Sequence, residues 1–252
     1  MRRSIAIGMA MIAACPTLAQ VPSPVPAATV ASAPAPSAAA ARIAGLLASE
    51  DIVVGKTRRV LHQQLPAVLG ANPDMRAMEQ RWPGIVAEFI GAMEPVIVAS
   101  LTRRLPAYQR DVAAVFDRRM SPAELDVAAV FYASPVGRHL LAVVGDGVDY
   151  SALLEQQLNG QGEAKVSGAD VRAAVTPGVR PAIAQLSGAE QLMMMSFART
   201  DAGHKMAGIN QELLELAARF NNDKDPQSES EIAAAMTALV KQRADPARKR
   251  AR

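Results

Sequence analysis

The chain carries one helix-forming phrase twice, at residues 120–141 and again, at a constant offset, at residues 186–207. A hydroxyl-bearing residue recurs near the middle of both copies. The other agreements fall on residue types that start helices, pack or join them: Ser121 and Ser187, Ala123 and Ala189, Glu124 and Glu190, Phe131 and Phe197, and Gly137 and Gly203. None of these is a group that only catalysis would require. The repeat therefore constrains the architecture of the protein and does not indicate a reaction.

The first copy begins with the pattern of a well-capped helix. Ser121 and Glu124 have capping-box spacing, in which each side chain bonds the backbone amide of the other. Pro122 stands at the first helical position, where its missing N–H costs nothing. Among residues 125–132 only Asp126 is polar, and a helix that is apolar all round is expected to be buried on most faces.

A second helix is expected to follow at once. Ser134 and Pro135 repeat the order of cap and proline, and Gly137 falls in the first turn of the new helix. A glycine inside a helix costs about 1 kcal/mol relative to alanine. Its presence indicates that the two helices approach closely at this joint.

The second copy keeps the same design. Ser187 and Glu190 repeat the capping box, and Thr200 takes the place of the capping serine at the joint. Gly203 holds the position of the first-turn glycine. We expect two related helix–joint–helix units of similar burial, with their second helices starting near Ser134 and Thr200. Two copies are too few for a solenoid.

The first copy resembles the signature of a bacterial family of exported helical proteins, domain-of-unknown-function 2059. The resemblance rests on Ser121-Pro-Ala-Glu-Leu followed by Phe131-Tyr-Ala-Ser-Pro-Val-Gly137. It is most specific over residues 105–142 and extends from about Arg42 onward. It implies an α-helical, periplasmic protein and implies no reaction. The second copy departs from the pattern, with Ala198 for the tyrosine and Asp201 for the proline, so both a second domain and a worn duplicate stay open.

The N-terminus has the pattern of an export signal. Arg2 and Arg3 precede apolar residues 5–14, and small residues lead up to Ala19. We expect cleavage after Ala19 and a periplasmic or secreted protein. The alternative is a lipoprotein anchored through Cys15, because Ile-Ala-Ala-Cys15 resembles the lipoprotein cleavage box. The apolar run is too short for a transmembrane helix, and we expect no other stretch to be long enough to span a membrane.

Composition divides the chain into five segments. Proline and alanine before residue 38 favour an extended linker, and a glycine-rich polar stretch at 159–168 indicates a boundary between two halves. The expected segments are a signal peptide (1–19), a disordered Pro/Ala-rich linker (20–37), a first helical half with the signature (38–158), a second helical half (169–244) and a basic tail (245–252).

Positive charge is concentrated at the C-terminus. The net charge is +3, and residues 241–252 hold six basic groups and one acidic group. This tail is interpreted as a solvated end, with a weak contact to anionic lipid head groups as the alternative. Nucleic acid is not expected as a partner, because no aromatic platform accompanies the basic run.

The remaining pattern favours an all-α irregular helical bundle. No stretch alternates polar and apolar residues over a strand's length. Pro95 is expected to kink or split one long apolar helix, and Pro106 to start the next. Ser228 and Glu231 have capping-box spacing and predict the start of a last helix that runs through Ala244.

Motifs for chemistry are weak in this sequence. Gly55-Lys56-Thr57 looks like the end of a phosphate loop, but Glu50 stands where that loop needs glycine, which favours an exposed helix position. No nucleophile, Cys-based or paired-histidine motif is found.

The three histidines lie far apart in the sequence, so we expect no metal site: His62, His139 and His204. Consecutive helical residues point about 100° apart, so Met193, Met194 and Met195 cannot converge on one copper ion and are interpreted as core filler.

We therefore expect an exported, non-enzymatic protein that acts by surface interaction with a protein partner in the cell envelope. No catalytic residue, cofactor or metal ligand is expected. The alternative is a binder of a small apolar ligand held between the repeat helices, where the Tyr132 hydroxyl could also face a ligand. Its expected lining is Phe131, Tyr132, Met193, Met194 and Phe197.

Overall fold

The computed structural model describes residues 35–159, 165–223 and 225–244, and these residues form helices with no strand among them. The all-α fold class is therefore confirmed. The helices in chain order are α1 (Ala38–Leu47), α2 (Glu50–Arg59), α3 (Leu65–Ala71), α4 (Pro73–Arg81), α5 (Ile85–Arg119), α6 (Pro122–Ala133), α7 (Pro135–Asp146), α8 (Ser151–Asn159), α9 (Gly168–Gln185), α10 (Gly188–Ala198), α11 (Asp201–Asn222) and α12 (Pro226–Ala244), with a π-helical turn (Val60–Gln64) between α2 and α3.

Serine fixes the start of the first helix. The Ser37 hydroxyl accepts from the Ala40 amide (3.2 Å) and donates to Asp117 of α5 (2.5 Å), while the Ser37 amide donates to the same carboxylate (2.7 Å). These bonds cap α1 and also attach it to α5. Ser37 closes the segment predicted as a linker, and residues 20–34 of that segment lie outside the described residues.

The long central helix α5 corrects one prediction. It runs unbroken for 35 residues through Pro95 and Pro106, so the first does not split it and the second does not start a new helix. An interior proline costs about 3 kcal/mol. Helices α1, α2, α11 and α12 all pack along α5, and the apolar area buried in this way offsets the cost.

Helix α5 is also long and apolar enough to cross a membrane, by length and composition alone. The expectation that no stretch beyond the N-terminal run is long and apolar enough to span a membrane is therefore wrong. Many apolar residues of α5 pack against the core, with Phe89, Val112 and Phe116 nearly inaccessible to solvent. That burial accounts for the apolar composition of α5 as the centre of a helical core.

The last helix begins earlier than Ser228 and Glu231 predict. Helix α12 starts at Pro226, because Asp225 is the residue that caps it: its carboxylate accepts from the Ser228 amide (3.4 Å). Asp225 also accepts from the Ser100 hydroxyl of α5 (2.6 Å), and this bond chiefly lowers the pKa of Asp225 to about 2. Asp225 followed by Pro226 is therefore the sequence pattern that marks the start of this helix.

The two predicted halves share one apolar core. Helices α11 and α12 pack on α5, and α9 packs on α7. At the α7–α9 crossing the backbones of Gly147 and Gly178 touch, and a Cβ atom on Gly147 would lie 2.7 Å from the Cα atom of Gly178. Larger residues at either position would force α7 and α9 apart.

Candidate functional site: the paired helix–joint–helix units

The first unit, residues 121–146, consists of α6, a sharp joint and α7. At the joint the Ser134 hydroxyl donates to the Phe131 carbonyl (2.6 Å) and accepts from the Gly137 amide (3.1 Å). A Cβ atom on Gly137 would lie 2.6 Å from the Cα atom of Tyr132 and still closer to the Phe131 carbonyl. The glycine is therefore required because helix backbones meet here.

The second unit, residues 187–222, repeats this geometry in α10, its joint and α11. The Thr200 hydroxyl donates to the Phe197 carbonyl (2.7 Å) and accepts from the Gly203 amide (3.0 Å). A Cβ atom on Gly203 would lie 2.8 Å from the Cα atom of Ala198. The predicted starts of the second helices, after Ser134 and after Thr200, are confirmed.

Both units also begin with a complete capping box. Ser121 and Glu124 bond each other's backbone amides at 2.7 and 3.4 Å, and Ser187 and Glu190 do so at 2.8 and 3.3 Å. The predicted capping boxes are thus confirmed in both copies, and they fix where α6 and α10 start.

Equivalent aromatic rings meet between the units. The rings of Phe131 and Phe197 stack with centroids 4.0 Å apart and an interplanar angle of 1°. Tyr132 lies edge-on to both, at 5.2 and 5.9 Å. Aromatic contacts of this kind contribute about 0.5–1.5 kcal/mol beyond the area they bury. The three rings therefore hold the two units together.

The polar contacts between the units are reciprocal. His139 of α7 bonds Glu190 of α10 (Nδ1 to Oε1, 2.6 Å), and Lys205 of α11 lies 3.9 Å from Glu124 of α6. His139 and Lys205 occupy equivalent positions in the two copies, as do the two glutamates. Each unit therefore supplies a basic side chain, His139 or Lys205, that contacts the acid of the other.

Hydrogen bonds hold both glutamates ionised. The bond with His139, followed by the bonds from Ser187, lowers the pKa of Glu190 to about 2. The Ser121 backbone N–H chiefly lowers the pKa of Glu124, with Lys205 contributing less. Both carboxylates are thus charged at neutral pH and serve as helix caps and as contacts between units.

Helix packing follows the same exchange. Helix α11 packs on α5 and α6, while α7 packs on α9 and α10. Helix α5 leads into α6 as α9 leads into α10, so these contacts exchange equivalent elements, as in the self-complementary interface of a two-fold dimer. An internal duplication would produce this arrangement, and the duplication itself stays a prediction.

The residues proposed to line an apolar site lie in different surroundings. Phe131 and Tyr132 are buried, and Met194 and Phe197 are half-buried against the core. Met193 is 50% exposed and faces outward. The structure thus brings the three rings together, and the lining of a ligand site stays a prediction.

Helix α10 differs most from what its sequence predicts. We expected it, like α6, to be buried on most faces, yet none of its residues is buried. We name Leu192, Met193 and Met195 the outer face of α10; they are 68%, 50% and 46% exposed. The core-filler interpretation of the methionines is therefore wrong for the two outer ones.

Helix α6 also departs in part, since Val127 is 44% and Val130 is 68% exposed. An apolar composition on every side does not bury a helix unless other elements cover those sides. An apolar run, interrupted only by Asp126 in α6 and by Ser196 in α10, was the sequence signal for these surfaces, and it was interpreted as core.

The remaining sequence candidates hold structural positions. The Gly55-Lys56-Thr57 stretch lies within α2, so it forms no phosphate loop, and Thr57 is buried and donates to the Val53 carbonyl (2.8 Å). The expectation of an exposed position is therefore wrong for Thr57. Desolvation lowers the pKa of Lys56, which packs on Gly145, to about 8.

The histidines lie at the surface of the helical bundle. His62 bonds Glu94 of α5 (2.8 Å) and His204 is exposed. Within the described residues no group of three or more His, Cys, Asp or Glu side chains is placed to hold a metal ion.

The sequence analysis did not single out two tyrosines that the structure buries. The hydroxyls of Tyr108 and Tyr150 have no hydrogen-bond partner among the described residues, and burial raises the pKa of both. Tyr108 also contacts the ring of Phe220 (4.9 Å). A lone tyrosine gives no sequence signal that distinguishes a packed ring from a functional hydroxyl.

The fold and the paired joints define an all-α protein organised around two helix–joint–helix units. Residues 108–145 match the model of a bacterial family described as Uncharacterized protein conserved in bacteria (DUF2059). The match confirms the resemblance found in the signature, and it covers the C-terminal part of α5 and nearly all of the first unit. No curated protein and no solved structure matches the chain.

Proposed function

We propose that the chain is an exported, non-enzymatic helical protein that acts in the cell envelope by binding another protein through the outer face of α10. One observation carries this proposal: three large apolar residues of α10, Leu192, Met193 and Met195, are exposed on a helix that buries no residue. Contiguous exposed apolar side chains on a folded protein are typical of interaction sites.

The use of the polar groups supports a role without catalysis. Ser134 and Thr200 are occupied as helix caps, and Glu124 and Glu190 as caps and contacts between units. Each of these groups has a structural task that accounts for its position. The stacked rings of Phe131 and Phe197 themselves fill the space between the units, which favours surface binding over the apolar-ligand alternative.

Site-specific crosslinking in the producing bacterium tests the proposal. A photo-crosslinking amino acid at position 192 should give a discrete adduct of higher mass in the envelope fraction. The matched control is position 130, because Val130 and Leu192 are both 68% exposed apolar residues. Adducts at neither position, or equal adducts at both, would contradict binding through α10.

The export part rests on the sequence pattern of the first 19 residues, which lie outside the described residues. Intact-mass measurement of protein from the native host decides the terminus. A free N-terminus at Gln20 supports simple cleavage, and a lipid adduct on Cys15 supports the lipoprotein alternative. A chain that keeps residues 1–19 in the cytoplasmic fraction contradicts both.

A further inference from the structure

The structure places the amine of Lys56 between two helices. Lys56 lies on α2, and its Nζ atom is 2.8 Å from the position that a Cβ atom on Gly145 of α7 would take. The side chain is half-buried, and within the described residues its amine forms no hydrogen bond and no ion pair. A lysine held against a helix backbone without a partner has no evident structural task.

The nearest acid does not neutralise this amine. Asp146 follows Gly145 at the end of α7, and its carboxylate forms an ion pair with Arg59 of α2. Arg59 stands three residues after Lys56, so both side chains lie on the same side of α2. Lys56 therefore shares its surroundings with one acid that is already paired and with a second cation.

The other charged side chains at this end of α2 are engaged elsewhere. Arg58 and His62 both bond Glu94 of α5, at 2.9 and 2.8 Å. The charges that act on Lys56 are those of Asp146 and Arg59. Because these two pair with each other, the surroundings of the amine favour its uncharged form.

The pKa agrees with this geometry. Desolvation chiefly lowers the pKa of Lys56 from 10.5 to about 8, with Asp146 opposing the change and Arg59 adding to it. At neutral pH the uncharged fraction is therefore about two orders of magnitude larger than for an ordinary lysine. An uncharged amine has a free electron pair, so Lys56 can act as a nucleophile.

We propose that Lys56 binds carbon dioxide as a carbamate, with Arg59 as the counterion of the product. The electron pair of Nζ forms a bond to the carbon of CO2, and one C=O pair moves onto oxygen. One nitrogen proton passes to solvent, which leaves an –NH–COO⁻ group. The reaction needs no oxidant, reductant or cofactor. This inference goes beyond protein binding through α10 and does not depend on it.

Two features favour CO2 over other electrophiles. The amine is half-buried between α2 and α7, so a small reagent reaches it more readily than a bulky one. An aldehyde would give an uncharged imine, which gains nothing from a neighbouring cation. A carbamate is an anion, and the Arg59 guanidinium stabilises it. Asp146 is 58% exposed at its side chain, so water can solvate it when Arg59 turns to the carbamate.

Carbon NMR of the full mature chain with isotopically labelled bicarbonate, which equilibrates with CO2, is the test. A carbamate resonance is expected at neutral pH. Alkylation with triethyloxonium followed by peptide mass spectrometry should locate the adduct on Lys56. At a constant concentration of dissolved CO2 the signal should decrease as the pH falls below about 8, because the amine becomes protonated. A free N-terminal amine gives a second signal that all variants share.

Variants assign the signal. Lys56→Arg should abolish it, because a guanidinium is always protonated. Lys205→Arg is the matched control at an exposed lysine and should leave it unchanged. Circular dichroism and melting curves of both variants show whether each retains its fold.

A second pair of variants tests the position of the amine. Gly145→Ala should displace the end of the Lys56 side chain toward solvent. The signal at neutral pH should then fall about tenfold for each unit by which the pKa of Lys56 returns to its ordinary value. Gly91→Ala is the control, because a Cβ atom there meets open space.

Four results would overturn the inference. The first is a carbamate signal that Lys56→Arg does not change, and the second is an adduct spread evenly over the exposed lysines. The third is a signal that Gly145→Ala leaves at full strength. The fourth is capture of a small aldehyde on Lys56, detected after borohydride reduction, with no carbamate on the same residue.

Discussion

Helices α6 and α10 start with the same capping box, end at the same kind of joint and place equivalent phenylalanines against each other, yet only one of them is buried. Helix α6 buries Leu125, Ala128 and Phe131 and packs on α1, whereas α10 buries none of its residues. The difference shows that caps and joints are set by nearby residues in the sequence. Burial depends on whether a distant segment, here α1, lies across the helix.

The largest expected difference in the free energy of unfolding is between a substitution in α6 and the same substitution in α10. Leu125 is 2% exposed and Leu192 is 68% exposed. Leu125→Ala should destabilise the fold by about 2–5 kcal/mol through lost burial and a cavity. Leu192→Ala, the same chemical change, should stay within about 0.5 kcal/mol. Urea unfolding of both variants measures the two values, and equal losses would show that α10 is covered in solution.

The joint glycines come next, and here the two units should behave alike. Gly137→Leu and Gly203→Leu force a side chain against backbone atoms that cannot move aside, so each should cost about 1–3 kcal/mol or more. For a chain of this size that lowers Tm by several degrees. Gly91→Leu is the control, because a side chain on Gly91 meets open space. Unchanged melting of Gly137→Leu would mean that the glycine does not serve helix packing.

The caps at the joints should give a smaller and again matched effect. Ser134→Ala and Thr200→Ala each remove a hydroxyl that accepts from a first-turn amide. Each should cost about 1 kcal/mol. Chemical denaturation of the two single variants and the double variant tests this. A loss confined to Ser134→Ala would contradict the equivalence of the joints.

The smallest expected effect is on the stability of the fold at acidic pH. Glu190 has a folded pKa of about 2, below its ordinary value of 4.5. The stability this provides is present above pH 4.5 and is lost as the pH falls from there toward 2. Glu190→Gln should therefore flatten the decline of the urea midpoint over this interval. Glu155→Gln, at an exposed site on α8, is the control, and an identical acid profile for wild type and Glu190→Gln would remove the proposed role of the His139 bond.

Local signals in the sequence predicted much of the fold. The capping boxes at Ser121 and Ser187 and the joints at Ser134 and Thr200 each depend on residues no more than a few positions apart, and all four are present. The all-α class follows from the same signals. The last helix was misplaced because Ser228 and Glu231 imitate a capping box that Asp225 and the following proline override.

The features that sequence could not supply depend on contacts between distant segments. The continuity of α5 through Pro95 and Pro106 is sustained by helices before and after it in the chain. The reciprocal pairs of His139 with Glu190 and of Lys205 with Glu124 required knowledge of how the units meet. The outer face of α10 could not be distinguished from core, since an uncovered apolar helix and a covered one have the same composition.

The position of α5 also has a consequence for the synthesis and folding of the protein. A chain emerges and folds N-terminal end first, but α11 and α12, which cover much of α5, are the last helices to be synthesised. Until α11 and α12 have been synthesised, the apolar surface of α5 that they cover is exposed and can contact other nascent chains. Translation that stops before α11 should yield an insoluble fragment. We expect a holding chaperone to bind such a chain at α5.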